Sequence, residues 1–285
     1  MSQRIALVTD STCDIPVDWV RQYEIGVVPL TIIFGDQQYL DGVDMTAAQF
    51  YERLPKESRH PTTSQPTPRA FLEAYQAAAA AGAEQILAIT ISSAMSGTIQ
   101  AARQAAVESP IPVKVMDGKS NSMGIGWQVV AAARVREAGG GLDAMAATAR
   151  QVQEDIAYYI SLDTIEYLAR GGHISEAARL LDSILRIKPL IYVRTETGAV
   201  AASLPARSRK SALEGLYKEF FRHVASDRPL HIAVLHNNAE DEAQALAEQV
   251  RAEHSPKEMF ISIVSPVLGV HTGPRAVALC GYAER

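Results

Sequence analysis

In Ile89-Thr90-Ile91-Ser92-Ser93-Ala94-Met95-Ser96-Gly97-Thr98 an apolar run gives way abruptly to hydroxyl-bearing and small residues. The run before it, from Gln85 to Ile91, predicts a buried strand, and the Ala-rich segment Ile99 to Val107 has helical composition. Strand, polar turn and helix in that order place small hydrogen-bond donors at the carboxyl edge of a parallel sheet. Ser96 is placed as the N-cap of the helix, where free backbone N–H groups and the positive end of the dipole favour an anion. Ser92, Ser93 and Ser96 serve equally well as ordinary caps and turn formers. The stretch alone leaves both roles open.

Outward from it, the first half alternates strands and helices. Arg4 to Thr9 predicts a strand running into Thr9-Asp10-Ser11-Thr12-Cys13-Asp14, with a helix after Pro16. Val27 to Phe34 predicts a second strand, Gly35-Asp36-Gln37-Gln38 a turn, and Met45 to Leu54 a helix. His60 to Pro68 is a stiff loop with three prolines and four hydroxyls that cannot join a central strand, and Thr67-Pro68 open a helix to Ala81. Val113 to Met116 reads as a strand, and Gly124 to Glu137 and Leu142 to Gln153 as helices parted by three glycines.

The second half mixes hairpins with crossovers. A strand at Ala157 to Ser161 leads to a short helix near Asp163 to Ala169 and the glycine turn Arg170-Gly171-Gly172-His173, with Ser175 capping a helix from Glu176 to Leu185. Ile187 to Arg194 and Ala199 to Pro205 flank the hairpin turn Thr195-Glu196-Thr197-Gly198. Helices at Ser211–Val224 and Asp241–Ala252 and strands at Leu230–Leu235, Met259–Val264 and Ala276–Tyr282 complete the chain. The expected fold class is α/β in two domains. Residues 1–155 form an N-terminal three-layer α/β/α domain with a parallel sheet, and residues 156–285 a C-terminal α+β domain with a mixed sheet.

At 285 residues, 47% apolar and 21% charged, the chain has the composition of a soluble protein with a sizeable core. A net charge of −5 argues against a dedicated nucleic-acid partner. Two cysteines far apart, Cys13 and Cys280, suit a reducing compartment. The start enters a strand directly and no apolar run approaches the ~20 residues of a spanning helix, so a cytoplasmic protein is expected.

The chain carries no GxGxxG after a strand, no GxxxxGK[ST] and no HExxH. Its seven histidines lie scattered, so neither a metal nor a cofactor is expected. Ser96 with His271 and Asp117 would make a serine-dependent acyl hydrolase, but Ala94 stands where the nucleophile elbow GxSxG needs its first glycine. His271 sits in Gly269-Val270-His271-Thr272-Gly273-Pro274, whose small residues suit a pocket wall holding an oxyanion. Arg170, Arg207, Arg209 and Lys210 are either solvated surface charges or a patch for an anionic partner or membrane surface.

Taken together, these segments resemble the DegV family of bacterial fatty-acid-binding proteins. The resemblance rests on Thr9-Asp10-Ser11-Thr12, Thr63-Ser64-Gln65-Pro66, Ser92-Ser93 with Ser96-Gly97-Thr98, Asp163 to Leu168 with Arg170-Gly171-Gly172, and Gly269 to Pro274, in order over about 260 residues. It implies a non-enzymatic carrier with one long-chain, palmitate-like fatty acid in a tunnel between two α/β domains. By motif match the acyl carboxylate lies near Thr63 and Ser96, with Ser93, His271, Thr272 and Gly273 as neighbours. The resemblance also implies a partner fatty acid kinase resembling dihydroxyacetone kinases and a role in lipid transport or fatty acid metabolism. Arg170, Arg207 and Arg209 become candidates for contact with kinase, phosphate or an anionic membrane surface.

Three residues depart from the family pattern. Arg275 follows Gly273-Pro274 where glycine is common, and would either crowd the carboxylate site or reach the domain edge. His173 replaces an arginine, and Cys13 a small residue. The Arg275 change keeps a pocket for another small anion open as an alternative.

Overall fold

The computed structural model describes residues 4–171, 187–203 and 205–285. The first half runs β1 (Ile5–Asp10), α1 (Val17–Gln22), β2 (Ile25–Val28), β3 (Thr31–Phe34), β4 (Gln37–Leu40), α2 (Ala47–Arg53), β5 (Thr62–Ser64) and α3 (Pro68–Ala80). It continues with β6 (Gln85–Thr90), α4 (Thr98–Glu108), β7 (Val113–Asp117), α5 (Met123–Glu137) and α6 (Leu142–Asp155). The second half runs β8 (Ala157–Ser161), α7 (Glu166–Arg170), β9 (Leu190–Val193), β10 (Val200–Ala202), α8 (Arg209–His223) and β11 (Leu230–His236). It closes with α9 (Glu240–His254), β12 (Glu258–Ile263), α10 (Pro266–Thr272) and β13 (Val277–Ala283). The predicted helix at Glu176–Leu185, its Ser175 cap and His173 lie outside the described residues.

The α/β architecture holds, with a parallel sheet in the first half and a mixed sheet in the second. The parallel sheet has the order β2-β1-β6-β7, and the mixed sheet β10-β9-β8-β13-β11-β12. The last strand, β13, lies inside the mixed sheet and pairs antiparallel with β8 and β11.

Between the two sheets runs α5, on which every residue from Met123 to Ala133 is buried. Of these residues only Gln128 is polar, and its amide donates to the Gly118 and Gly124 carbonyls, so the stretch presents no solvent face and belongs in a core. Trp127 is fully buried at its centre, its ring 5.8 Å from Trp19, 5.6 Å from Phe260 and 5.8 Å from Tyr282. The Trp127 Nε1–H donates to the Cys280 carbonyl at 3.3 Å. One hydrophobic cluster therefore joins residues of both halves, from Ile5 to Tyr282.

The apolar run Val27 to Phe34 proves to be two strands. Pro29 has no N–H to give a ladder and interrupts the run, and β3 leaves the parallel sheet to form a three-stranded antiparallel sheet of order β4-β3-β5. Gln37 and Gln38, expected in a turn, open β4 after the Gly35 turn, where φ is +59°. The stiff loop supplies β5 as an edge strand, with Thr63 opposite Ile32. Its prolines keep it at the edge, where no second ladder is required. Residues 266–272, to which the sequence assigned no element, form α10, opened by Pro266 in its first turn and stopped by Gly273 at φ +69°.

Candidate functional site

The strand-turn-helix at residues 85–108 is anchored from below by a carboxylate. The Ile91 N–H donates to Asp10 Oδ2 at 2.8 Å, while Asp10 Oδ1 accepts from the Thr12 N–H and hydroxyl at 3.1 and 2.5 Å. The Asp10 of the first motif thus fixes the end of β6, and burial pushes its carboxyl above the usual carboxylate range. The turn after β6 differs by one residue from expectation. Gly97, at φ −76° and ψ 7°, is the N-cap of α4, and Ser96 Oγ accepts the Thr98 N–H from one position further out at 3.2 Å. The hydroxyl of Ser96 also bonds to that of Thr98 at 2.8 Å.

At this edge lies a cavity of about 300 Å³, the size at which small-molecule sites begin. Its apolar wall comes from both halves, including Leu30, Ile91 and Met95 from the first and Ile160, Ile191 and Val267 from the second. Thr63, Ser96, His271 and Thr272 supply hydroxyl and imidazole groups, and Gln65 and Asn121 amides. Among its described lining residues none is lysine, arginine, aspartate or glutamate. A wider depression of about 850 Å³ lies along Glu154, Tyr159, Tyr192, His223 and Arg228, shares none of the motif residues, and has a charged and polar rim.

Two elements meet across the cavity. Thr63 Oγ1, on edge strand β5, lies 2.9 Å from His271 Nε2 near the end of α10. Thr272 Oγ1 donates to the Leu268 carbonyl at 2.9 Å and accepts from Asn237 Nδ2 at 2.7 Å. The same Asn237 amide donates to the Gly273 carbonyl at 2.6 Å, so Asn237 holds the end of α10 from the β11 side. Hydroxyls and an imidazole beside the start of α4 can hold a carboxylate without a fixed cation, because N–H and O–H bonds to an ionised acceptor are strong.

Ser93 and Gly273 are placed differently. Ser93 is exposed, and both its N–H and its hydroxyl donate to Asp117, at 3.2 and 2.5 Å. Neither Ser93 nor Gly273 lines the cavity. Asp117 also accepts the Lys119 N–H at 2.9 Å. With Ser96 bonded to Thr98, His271 to Thr63 and Asp117 to Ser93, no hydrogen-bonded Ser-His-Asp chain forms from the three residues.

Of the cations, Arg209 is occupied. Its guanidinium makes two bonds to Glu242, at 3.0 and 2.7 Å, and donates to the Arg275 carbonyl at 2.7 Å. Arg275 reaches the same Glu242 at 3.1 Å, away from the cavity lining. Arg170 pairs with Glu166 one turn back on α7. Arg207 is exposed.

Gln65 and Asn121 escaped the sequence reading. Gln65 belongs to the quoted Thr63–Pro66 motif, which was read for its hydroxyls. Asn121 follows β7, next in the sheet to β6, in a turn where Lys119 and Ser122 take φ near +46° and +49°. A turn at the carboxyl end of a strand beside β6 was the available signal.

Residues 4–284 match the family described as uncharacterised protein, DegV family. A DegV domain-containing protein of Streptomyces coelicolor is 37% identical over 276 residues, covering 96% of each chain. A DegV family protein from Thermus thermophilus, whose structure is described for its fatty acid binding, superposes with a TM-score of 0.92 at 33% identity, covering 99% of this chain and 100% of that one. DegV of Bacillus subtilis, described as a fatty acid binding protein, gives a TM-score of 0.91 at 27% identity over 99% and 100% of the two chains. Among the described residues no helix is long and apolar enough to cross a membrane, and no group of His, Cys, Asp and Glu could hold a metal ion.

Proposed function

The chain belongs to the DegV family, and from that premise we propose that it is a non-catalytic carrier of one long-chain fatty acid. The acyl chain lies in the cavity between the halves 1–155 and 156–285, and its carboxylate is held by Thr63, Ser96, His271 and Thr272. The observation that carries this reading is the composition of one cavity: an apolar wall drawn from both halves, with hydroxyl and imidazole groups set into it. An apolar tail contributes roughly 0.8 kcal/mol per buried CH₂, so affinity comes from the wall and orientation from the polar group. The fatty acid binding described for the Thermus thermophilus and Bacillus subtilis relatives supports the same ligand class.

In this reading the protein works in the cytoplasm and presents the carboxylate to a partner fatty acid kinase, within lipid transport or fatty acid metabolism. Arg207, exposed, and Arg170, half-exposed beside Glu166, are the cations left to meet that partner or an anionic membrane surface. Arg209 instead ties α8 to α9 through Glu242.

Thr63→Ala and Ser96→Ala test the carboxylate site. Each is expected to weaken binding of palmitate about tenfold, the loss of one hydrogen bond to a charged acceptor, with the thermal midpoint nearly unchanged. Displacement of a fluorescent fatty acid gives the affinity and a thermal melt the stability. Parallel loss of both would make the two residues structural caps.

A further inference from the structure

The paired glycines after Arg170 have no part in the site as described so far, yet the first of them abuts it. Gly171 ends α7 at φ −75° and ψ −5°, a right-handed conformation open to any L-residue. The backbone therefore does not require glycine here. Space does. A Cβ at Gly171 would lie 2.4 Å from His271 Nδ1 and 3.2 Å from Cε1, and the next neighbour, the Tyr167 carbonyl, stands at 3.4 Å. On the other side of the same ring, Nε2 lies 2.9 Å from Thr63 Oγ1.

We infer that Gly171 is the positioning residue of this site: its missing side chain leaves the space that lets the His271 ring stand against Thr63. The inference rests on the carrier reading for the ligand but not for the contact. Retreat of α10 as a whole is blocked on its other sides. At Gly269 a Cβ would come within 2.6 Å of Phe50 and 2.7 Å of the Tyr51 hydroxyl, so the helix lies directly on those rings. At its C-terminal end Asn237 ties down Thr272 and Gly273. With α10 held in place, a methyl group at residue 171 is expected to turn the imidazole, which takes Nε2 away from Thr63. The short helix α7 thereby sets the geometry of a residue 100 positions further along the chain.

The test compares Gly171→Ala, His271→Ala and the double variant, with two readouts. In ligand-free protein the imidazole NMR signals of His271, identified by their loss in His271→Ala, are expected to shift in Gly171→Ala. Palmitate affinity is expected to fall about tenfold in Gly171→Ala and by a similar factor in His271→Ala, with no additional loss in the double variant, because an alanine at 271 no longer fills the space. Unmoved imidazole signals, or losses that multiply in the double variant, would overturn the inference. Should Gly171→Ala fail to fold, folding of the double variant supports the contact, and failure of both overturns it. Shifted signals in a protein that takes up no fatty acid would uphold the positioning role and defeat the carrier reading.

Discussion

Gly198→Ala is expected to lower the thermal midpoint by roughly 5–10 °C and to speed release of a bound fatty acid. Gly198 closes the β9–β10 hairpin at φ +70°, where its N–H donates to the Arg194 carbonyl at 2.7 Å. An L-residue in that region costs roughly 1–2 kcal/mol. The hairpin tip also rests on the first half of the chain: a Cβ would meet Ser92 Oγ at 2.2 Å and the Lys119 Cα at 2.8 Å. Ser92 is buried, and its own N–H donates to the Ser120 carbonyl at 2.8 Å, so the floor beneath the tip cannot give way. Overpacking there adds roughly 1–3 kcal/mol, and a total near 3 kcal/mol gives the stated shift in a chain of this size.

The functional consequence follows from the strands that this tip joins. Ile191 on β9 and Val200 on β10 line the cavity, so lifting the tip from Ser92 opens its wall. Glu196→Ala is the control. Lys119 Nζ donates to the Glu196 backbone carbonyl at 3.0 Å, which that substitution keeps, and a surface change of this kind stays within about 0.5 kcal/mol. Melting curves and stopped-flow displacement separate the two variants. Equal midpoints for both would mean that the hairpin does not seat on Ser92.

Asp41→Asn is expected to stabilise the protein at pH 8 by about 2 kcal/mol and hardly at all at pH 5. Asp41 is buried, accepts one hydrogen bond, from Ser11 Oγ at 2.7 Å, and leaves Oδ1 without one. Burial pushes its carboxyl up to about 7, against the Ser11 hydroxyl and with the charge of Asp14 adding to the rise; the Val267 amide, outside hydrogen-bond geometry, opposes it weakly. Asp14, bonded to Ser122 Oγ and the Ser265 N–H at 2.5 and 2.9 Å, is likewise pushed up by burial, to about 6.

Both groups hold a proton in the folded state that the unfolded chain releases near pH 4. The contribution of these two carboxyls to stability therefore falls as pH rises from about 4 to about 7 and levels off above. Glu258 works in the opposite sense but outside this range. Burial would raise it, yet His231 and Arg134 hold it down to about 2, so its contribution is lost only as pH falls below the ordinary carboxylate value. Urea unfolding of the wild type and of Asp41→Asn at pH 5 and pH 8 measures the difference. A gain equal at both pH values would remove the buried charge as its cause.

Local pattern made much of this fold readable. The run Gln85 to Ile91, its hydroxyl turn and the Ala-rich helix stand nearly where periodicity and capping place them, because a buried parallel strand and an Ala helix carry their own signals. Position in space was less accessible. Thr62–Ser64 joins a sheet through Ile32 and its neighbours, a partner that no spacing within the loop announces. No linker composition marks the boundary at residue 155, and α5, buried from Met123 to Ala133, packs into a core common to both sheets.

The site was legible where chemistry and motif coincide. Thr63, Ser96, His271 and Thr272 meet in one cavity. Ser93 points to Asp117 and Arg209 to Glu242, because a hydroxyl or guanidinium in a sequence looks the same whether its partner is a ligand or another side chain. The steric role of Gly171 is invisible in principle at that level. A glycine with ordinary dihedrals reveals its purpose only when the ring it makes room for is in view.

Mass spectrometry of the protein purified without added lipid, sprayed first under native conditions and then after organic extraction, addresses the carrier directly. One long acyl chain per molecule is the result expected. A lipid-free protein that also takes up no added palmitate or oleate would contradict the account and leave the cavity to another small anion.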